Sequence, residues 1–251
     1  MVVAVASVKV HTATLILCAY RSVSLPTHRC IMRLFATPGQ NQWREQTGGE
    51  AGINRARSIQ VSQWFRETTD DVFLMIDDDI VFDPEDANDI VDRCRDGHDV
   101  IAAAYPTGDA SHLAIRTLDG EKALRFGPYE QPREMRHVST GFFAAHRKVI
   151  AAMIETLPEC NSNASWRFWP LFGFGWEPDP EAGGTNNLSE DYNFCNRARE
   201  LGFKVYLDMT TVIGHEVKAR LNIVNMEQVY KALRYGEATA DGTPNGIAQP
   251  V

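Results

Sequence analysis

Short apolar runs alternate with helical stripes along most of this chain, and that alternation constrains the fold more than any other feature. "TATLILCAY" (12–20) reads as a buried strand ending at a polar loop. Residues 53–68, "INRARSIQVSQWFRET", read as a helix with Val61, Trp64, Phe65 and Thr68 on one face. "DVFLMI" (71–76) is the next strand. Asp83 and Pro84 then supply the N-cap and first residue of a helix whose stripe is Ala87, Ile90, Val91 and Cys94, with Gly97 at the stop. "HDVIAAAYP" (98–106) is strand, residues 107–137 read as loops or a hairpin, and "TGFFAAHRKVIAAMIETL" gives a strand and then a helix over 147–157. Ser189 caps a helix with Glu190 and Asp191 in its first turn, where the helix dipole favours acids, and Gly202 ends it. "FKVYLD" and "TTVIGH" close the series of strands. The pattern implies an α/β fold with a mostly parallel central sheet flanked by helices.

At 251 residues and 44% hydrophobic composition the chain can bury a sizeable core. No linker interrupts it before about residue 225, so residues 1–225 are expected to form one domain. Residues 226–251 are expected to add a C-terminal helix and a disordered tail rich in Gly, Pro and Ala. A net charge of −8 gives no bulk attraction to nucleic acid or an anionic membrane. The five cysteines are scattered and never spaced as CxxC, which implies free thiols, a reducing compartment and a cytoplasmic location. Lys9 and His11 interrupt the apolar N-terminus, which lacks a basic leader and reads as a strand rather than a signal peptide. No run is long and apolar enough to span a bilayer. In a cytoplasmic chain the glycosylation sequons at Asn163 and Asn187 are chance matches.

Chemistry concentrates in "FLMIDDDIVF" (73–82), where an apolar strand runs into Asp77, Asp78 and Asp79. Adjacent carboxylates at the end of a buried strand are costly unless something neutralises them. In extended backbone Asp77 and Asp79 share a face, and two carboxylates at the C-terminal end of a strand suit a hard divalent cation. An acidic, solvated strand end is the plainer alternative. An EF-hand is excluded, because the loop places Phe82 where glycine is needed. A second cluster is "LSEDYNFCNRARELGF" (188–203), whose helix aligns Asp191 with Phe194, Cys195, Ala198 and Leu201. A third is His215 in "TTVIGHEV". Alone, each of these is also compatible with a purely structural role.

Taken together and in order, "FLMIDDDIVFDPED", "STGFFAAHRKVIAAM", "SEDYNFCNRARELGFKVYLD" and "IGHEV" resemble the GT-A-fold, Rossmann-like glycosyltransferases. Within that group the chain looks similar to the inverting family-2 type and to short virus-encoded glycosyltransferases, over roughly residues 12–217. The resemblance implies transfer of a sugar from a nucleotide-sugar donor, UDP-sugar favoured, to a hydroxyl, with Mn2+ or Mg2+ as cofactor. It implies that Asp79 ligates the metal, that Asp77 contacts metal or ribose with Asp78 beside the nucleotide, and that His215 is the distal ligand. Asp191 is the expected base and Glu190 the second candidate. Tyr20 and Arg21 would lie in the loop near the nucleoside, and Arg55 and Arg57 would contact base or diphosphate, a role suited to guanidinium.

The acceptor is less constrained. "SWRFWPLFGFGW" (165–176) packs six aromatics, including Trp166, Trp169 and Trp176, into twelve positions ahead of the acidic helix. A mobile acceptor loop is the expectation, since aromatics stack on sugars and on nucleobases alike. Residues 116–148 hold seven Lys/Arg against four Asp/Glu, a local basic excess suited to a phosphate-bearing acceptor. A glycan, a small molecule, a protein hydroxyl and a hydroxymethylated base of viral DNA all remain open as acceptors. A sugar nucleotidyltransferase should carry a glycine-rich loop after the first strand, and "CAYRSVSLPTH" has none. A non-catalytic metal- or sugar-binding module would not need the acidic helix.

Overall fold

The computed structural model describes residues 11–216 except 20–21, 40, 51, 107–112, 119, 121–123, 163–165 and 180–182. The first apolar run forms β1 (His11–Cys18), buried from Ala13 onward. It pairs in parallel with β2 (Asn41–Gly48) on one side and β3 (Val72–Asp77) on the other. Between β1 and β2 lies α1 (Leu25–Ala36), where Ser24 Oγ accepts from the Thr27 amide and Cys30, Ile31 and Leu34 are buried. Neither α1 nor β2 is among the elements expected from the sequence. β2 reads "NQWREQTG" and is the outermost strand of the sheet, half solvated, so it lacks the apolar run that marks an interior strand. The signals for α1 were present: Ser24, then Pro26, then the stripe Cys30, Ile31 and Leu34.

α2 (Ile53–Glu67) precedes β3, and β4 (Ile80–Val81) leads into α3 (Pro84–Arg95). α3 begins and ends where its signals place it. The Asp83 amide donates to the Asp86 carboxylate at 2.8 Å, and Gly97 takes φ 106°. β5 (Val100–Ala104) follows, and β6 (Ile115–Thr117) then pairs antiparallel with β7 (Arg133–Val138), a hairpin partner pair inside the expected loop region. β8 (Phe142–His146) runs straight into α4 (Arg147–Ile154). Two small antiparallel ribbons come next: β9 (Cys160–Ser162) with β10 (Trp166–Phe168), and β11 (Gly175–Pro178) with β12 (Thr185–Leu188). α5 (Glu190–Glu200), β13 (Val205–Val212) and β14 (Gly214–His215) complete the described chain. The expected C-terminal helix and tail at 226–251 lie outside the described residues.

The main sheet has the order β2-β1-β3-β8-β5-β13-β7-β6. It is mixed: β1–β2, β1–β3 and β5–β13 are parallel, while β8 is antiparallel to both β3 and β5, and β7 to β13 and β6. Apolar runs such as "FFAAH" mark burial on both faces but carry no strand direction. Alternation divides the core. Ile16, Phe73 and Phe143 pack with Trp64 of α2, Val149 of α4 and Phe194 of α5 on one face. Leu15, Leu74 and Phe142 pack with Leu34 of α1 and Ile90 of α3 on the other. Among the described residues no helix is long and apolar enough to cross a membrane. All five cysteines are free thiols, four of them buried.

Candidate active site

The site begins where β3 ends. Val72 to Ile76 are fully buried, and the chain then turns through Asp78 and Asp79 into β4. The turn changes the geometry expected of the aspartates. Strand alternation stops at Asp77, and all three carboxylate residues line one cleft of about 340 Å3 together with Cys18, Glu50, Tyr105 and His215. Backbone hydrogen bonds hold the turn: the Asp77 amide donates to Gly141 O at 3.0 Å and the Ser24 amide to Asp78 O at 2.8 Å.

β14 brings in the distant histidine. It pairs antiparallel with β4, with His215 opposite Ile80, and the Glu216 amide donates to Asp79 O at 2.8 Å. His215 Nε2 lies 3.3 Å from Asp79 Oδ2 across 136 positions of sequence. Its Nδ1–H donates to Pro106 O at 2.9 Å, and Tyr105 packs edge-on with ring centroids 5.4 Å apart. With Nδ1 as the donor, the neutral ring turns a lone pair on Nε2 toward a carboxylate oxygen. Two acceptors at this distance need a proton or a cation between them. Carboxylate oxygens suit a hard cation such as Mn2+ or Mg2+, and an imidazole nitrogen adds a softer ligand beside them. Among the described residues no group of three or more His, Cys, Asp or Glu is placed to hold a metal ion. Asp79 and His215 form a pair, and Asp77 is engaged elsewhere.

That engagement is with Arg57. One terminal nitrogen lies 2.6 Å from Asp77 Oδ1 and the other 2.6 Å from Glu190 Oε1. The Arg57 side chain is only 5% exposed, so it stands inside the protein between two carboxylates rather than on a solvated helix face. Burial opposes its charge, but Asp77 and Glu190 outweigh burial and hold its pKa above the ordinary value. Burial raises the Glu190 pKa, opposed by Arg57. The Cys18 thiol, raised by burial to about 12, stays protonated near neutrality and is no nucleophile.

α5 carries Glu190 and Asp191 on its first turn, anchored by Phe194, Cys195 and Ala198, all fully buried. Phe194 stacks on Phe172 at 4.6 Å and meets Phe143 edge-on at 5.3 Å. Ser189 is the N-cap residue, but its hydroxyl donates to the Asp191 carboxylate instead of capping a backbone amide. The Tyr192 amide also donates to Asp191 Oδ1, at 2.8 Å.

The remaining sequence candidates are dispersed. Arg55 pairs with Glu50 at 3.1 Å at the start of α2. Tyr20 and Arg21 lie outside the described residues. The aromatic segment is not one free loop: Phe172 is fully buried, and Trp169 packs beneath Arg66 at 4.1 Å. Trp166 and Trp176 are exposed on separate ribbons. Periodicity could not separate these roles, because glycine and proline break the segment into short pieces. Tyr105, Glu50 and Cys18 were not singled out in the sequence. Cys18 ends β1 and Tyr105 follows the last residue of β5, positions at strand C-termini from which side chains reach such a cleft.

The order of strands, the helices on both faces and the cleft at the strand ends define a GT-A-type α/β fold. No protein-family model matches the chain, and no curated protein sequence matches it. Solved structures do. A197 from STIV is 15% identical with a TM-score of 0.51, over 83% of this chain and 86% of that one. GalNAc-T7, solved with UDP, GalNAc and Mn2+, is 9% identical with a TM-score of 0.51, over 91% of this chain. The match takes in 52% of GalNAc-T7, so this chain spans about half of that neighbour. At these identities the likeness shows the fold.

Proposed function

We propose that this chain is a metal-dependent glycosyltransferase that moves a sugar from a nucleotide-diphosphate sugar, UDP-sugar favoured, to a hydroxyl acceptor with inversion. The observation that carries the reading is convergence. Asp77–Asp79 and His215 are far apart in sequence, yet the β4–β14 pairing brings them to one cleft, and Arg57 ties Asp77 to Glu190 at the start of α5. A neighbour of the same fold was solved with UDP, GalNAc and Mn2+, which is compatible with this donor class.

In this reading Asp79 and His215, with Asp77 beside them, hold Mn2+ or Mg2+. A bound cation offsets the carboxylate repulsion and the charge that develops on the departing diphosphate. Asp78, Arg55, Tyr20 and Arg21 belong to the nucleotide side. Asp191 takes the acceptor hydroxyl proton on the opposite side of the sugar, with Glu190 as the other candidate for that role. Exposed Trp166 and Trp176 offer stacking faces to an acceptor. The acceptor class is a glycan, a small molecule, a protein or a modified DNA base.

The test is to incubate the chain with UDP- and GDP-sugars and Mn2+ and measure free nucleotide. Metal-dependent release of nucleoside diphosphate supports a transferase. Pyrophosphate formed from a nucleoside triphosphate and a sugar phosphate replaces it with a nucleotidyltransferase. Neither product leaves a binding module.

A further inference from the structure

We propose that Arg57 is a positioning residue that joins the donor end of the site to the acceptor end, holding Asp77 and Glu190 in one fixed frame. This rests on the transferase reading and deepens it. Asp77 ends β3 and Glu190 begins α5, and no backbone hydrogen bond described between those elements fixes their spacing. One guanidinium supplies the link, with each terminal nitrogen 2.6 Å from its own carboxylate. The rigid fork of guanidinium sets the two carboxylates at a defined separation, which the point charge of an ammonium cannot do. The link is mostly buried: side-chain exposure is 5% for Arg57 and 12% for Glu190, rising to 27% at Asp77, which faces the cleft. Without the bridge, two partly buried carboxylates would face one another and repel.

The geometry divides the acidic pair on α5. Glu190 is taken up by the bridge, while Asp191 is held locally by Ser189 and the Tyr192 amide and has no contact with Arg57. Glu190 is therefore the anchor of the helix start, and Asp191 is left to work on the acceptor. Arg57 acts on the donor through Asp77 instead of touching the diphosphate, since its side chain is 5% exposed and it is Asp77, not Arg57, that lines the cleft.

A double-mutant cycle tests this, read out as calorimetric affinity of the full chain for UDP with Mn2+. Arg57→Lys keeps a positive charge among the carboxylates but loses the fork. It is expected to lower affinity by at least about tenfold, the equivalent of one charge-assisted hydrogen bond. Glu190→Gln, which touches no nucleotide in this scheme, is expected to weaken binding in the same direction. The double variant is expected to be no worse than the weaker single one. In Arg57→Ala, millimolar guanidinium is expected to restore binding where sodium chloride of equal ionic strength does not. Wild-type affinity in Arg57→Lys, or additive losses in the double variant, would overturn the positioning role and leave the transferase reading standing. A wild-type chain that binds no UDP with Mn2+ would overturn both.

Discussion

Removing the Asp79 carboxylate separates the role of this residue in the fold from its role in the site. Asp79 is 37% exposed and its partner His215 19%. An ion pair this exposed contributes about 0–1 kcal/mol. The backbone bond from the Glu216 amide to Asp79 O does not need the side chain. Asp79→Ala should therefore lower the melting temperature of the free protein by no more than about 4 °C, at roughly 2–4 °C per kcal/mol for a chain of this size. Ligand stabilisation should behave differently. UDP with Mn2+ at about 100 times its Kd adds about 2.7 kcal/mol, a rise of roughly 5–11 °C in the wild type. Loss of a charged ligand group worth about 1.5–3 kcal/mol weakens binding by up to about 100-fold. At the same ligand concentration the stabilisation then falls to about 0.4 kcal/mol and the shift to roughly 1–2 °C. Thermal-shift curves with UDP and Mn2+, with and without EDTA, measure both quantities. An undiminished shift in Asp79→Ala, or one indifferent to EDTA, would refute the metal-site reasoning.

Three further outcomes follow from the same geometry. Asp191→Asn should reduce turnover by about 10²–10⁴-fold while UDP binding persists, because the change removes a base but leaves the cleft around Asp79 intact; near-normal turnover would move the role away from Asp191. Phe194→Ala removes a fully buried ring stacked on Phe172, and should cost about 3–5 kcal/mol in urea unfolding; a cost under about 1 kcal/mol would mean that α5 is not anchored there. His137 is fully buried, and burial holds its pKa below the ordinary value despite Asn196 and Glu177. The neutral ring is the one the fold favours, so its contribution is present above the unfolded pKa of about 6.5 and is lost as pH falls through the folded value. Stability of the wild type should drop more steeply below about pH 6.5 than that of His137→Gln, and parallel urea midpoints across that range would contradict the assignment.

The α/β class followed from periodicity alone, because burial on both faces of a strand and on one face of a helix leaves different spacings of apolar residues. The boundaries of α3 were equally local, set by Asp83, Pro84 and Gly97. The Asp77–Asp79 run, the acidic start of α5 and His215 stood out because charged or titratable groups beside apolar runs demand a partner. What local pattern could not carry was direction and meeting. The antiparallel placement of β8 between β3 and β5 depends on hydrogen-bond pairing that leaves no mark in "FFAAH". β2 escaped notice because an edge strand needs no apolar run. All three aspartates line one cleft because the chain turns after Asp77, where strand alternation no longer applies. The contact of His215 with Asp79, and the burial of Arg57 between Asp77 and Glu190, exist only because strands and helices distant in sequence pack against one another. Periodicity shows which face of an element is buried; only packing decides which charges end up sharing a cleft.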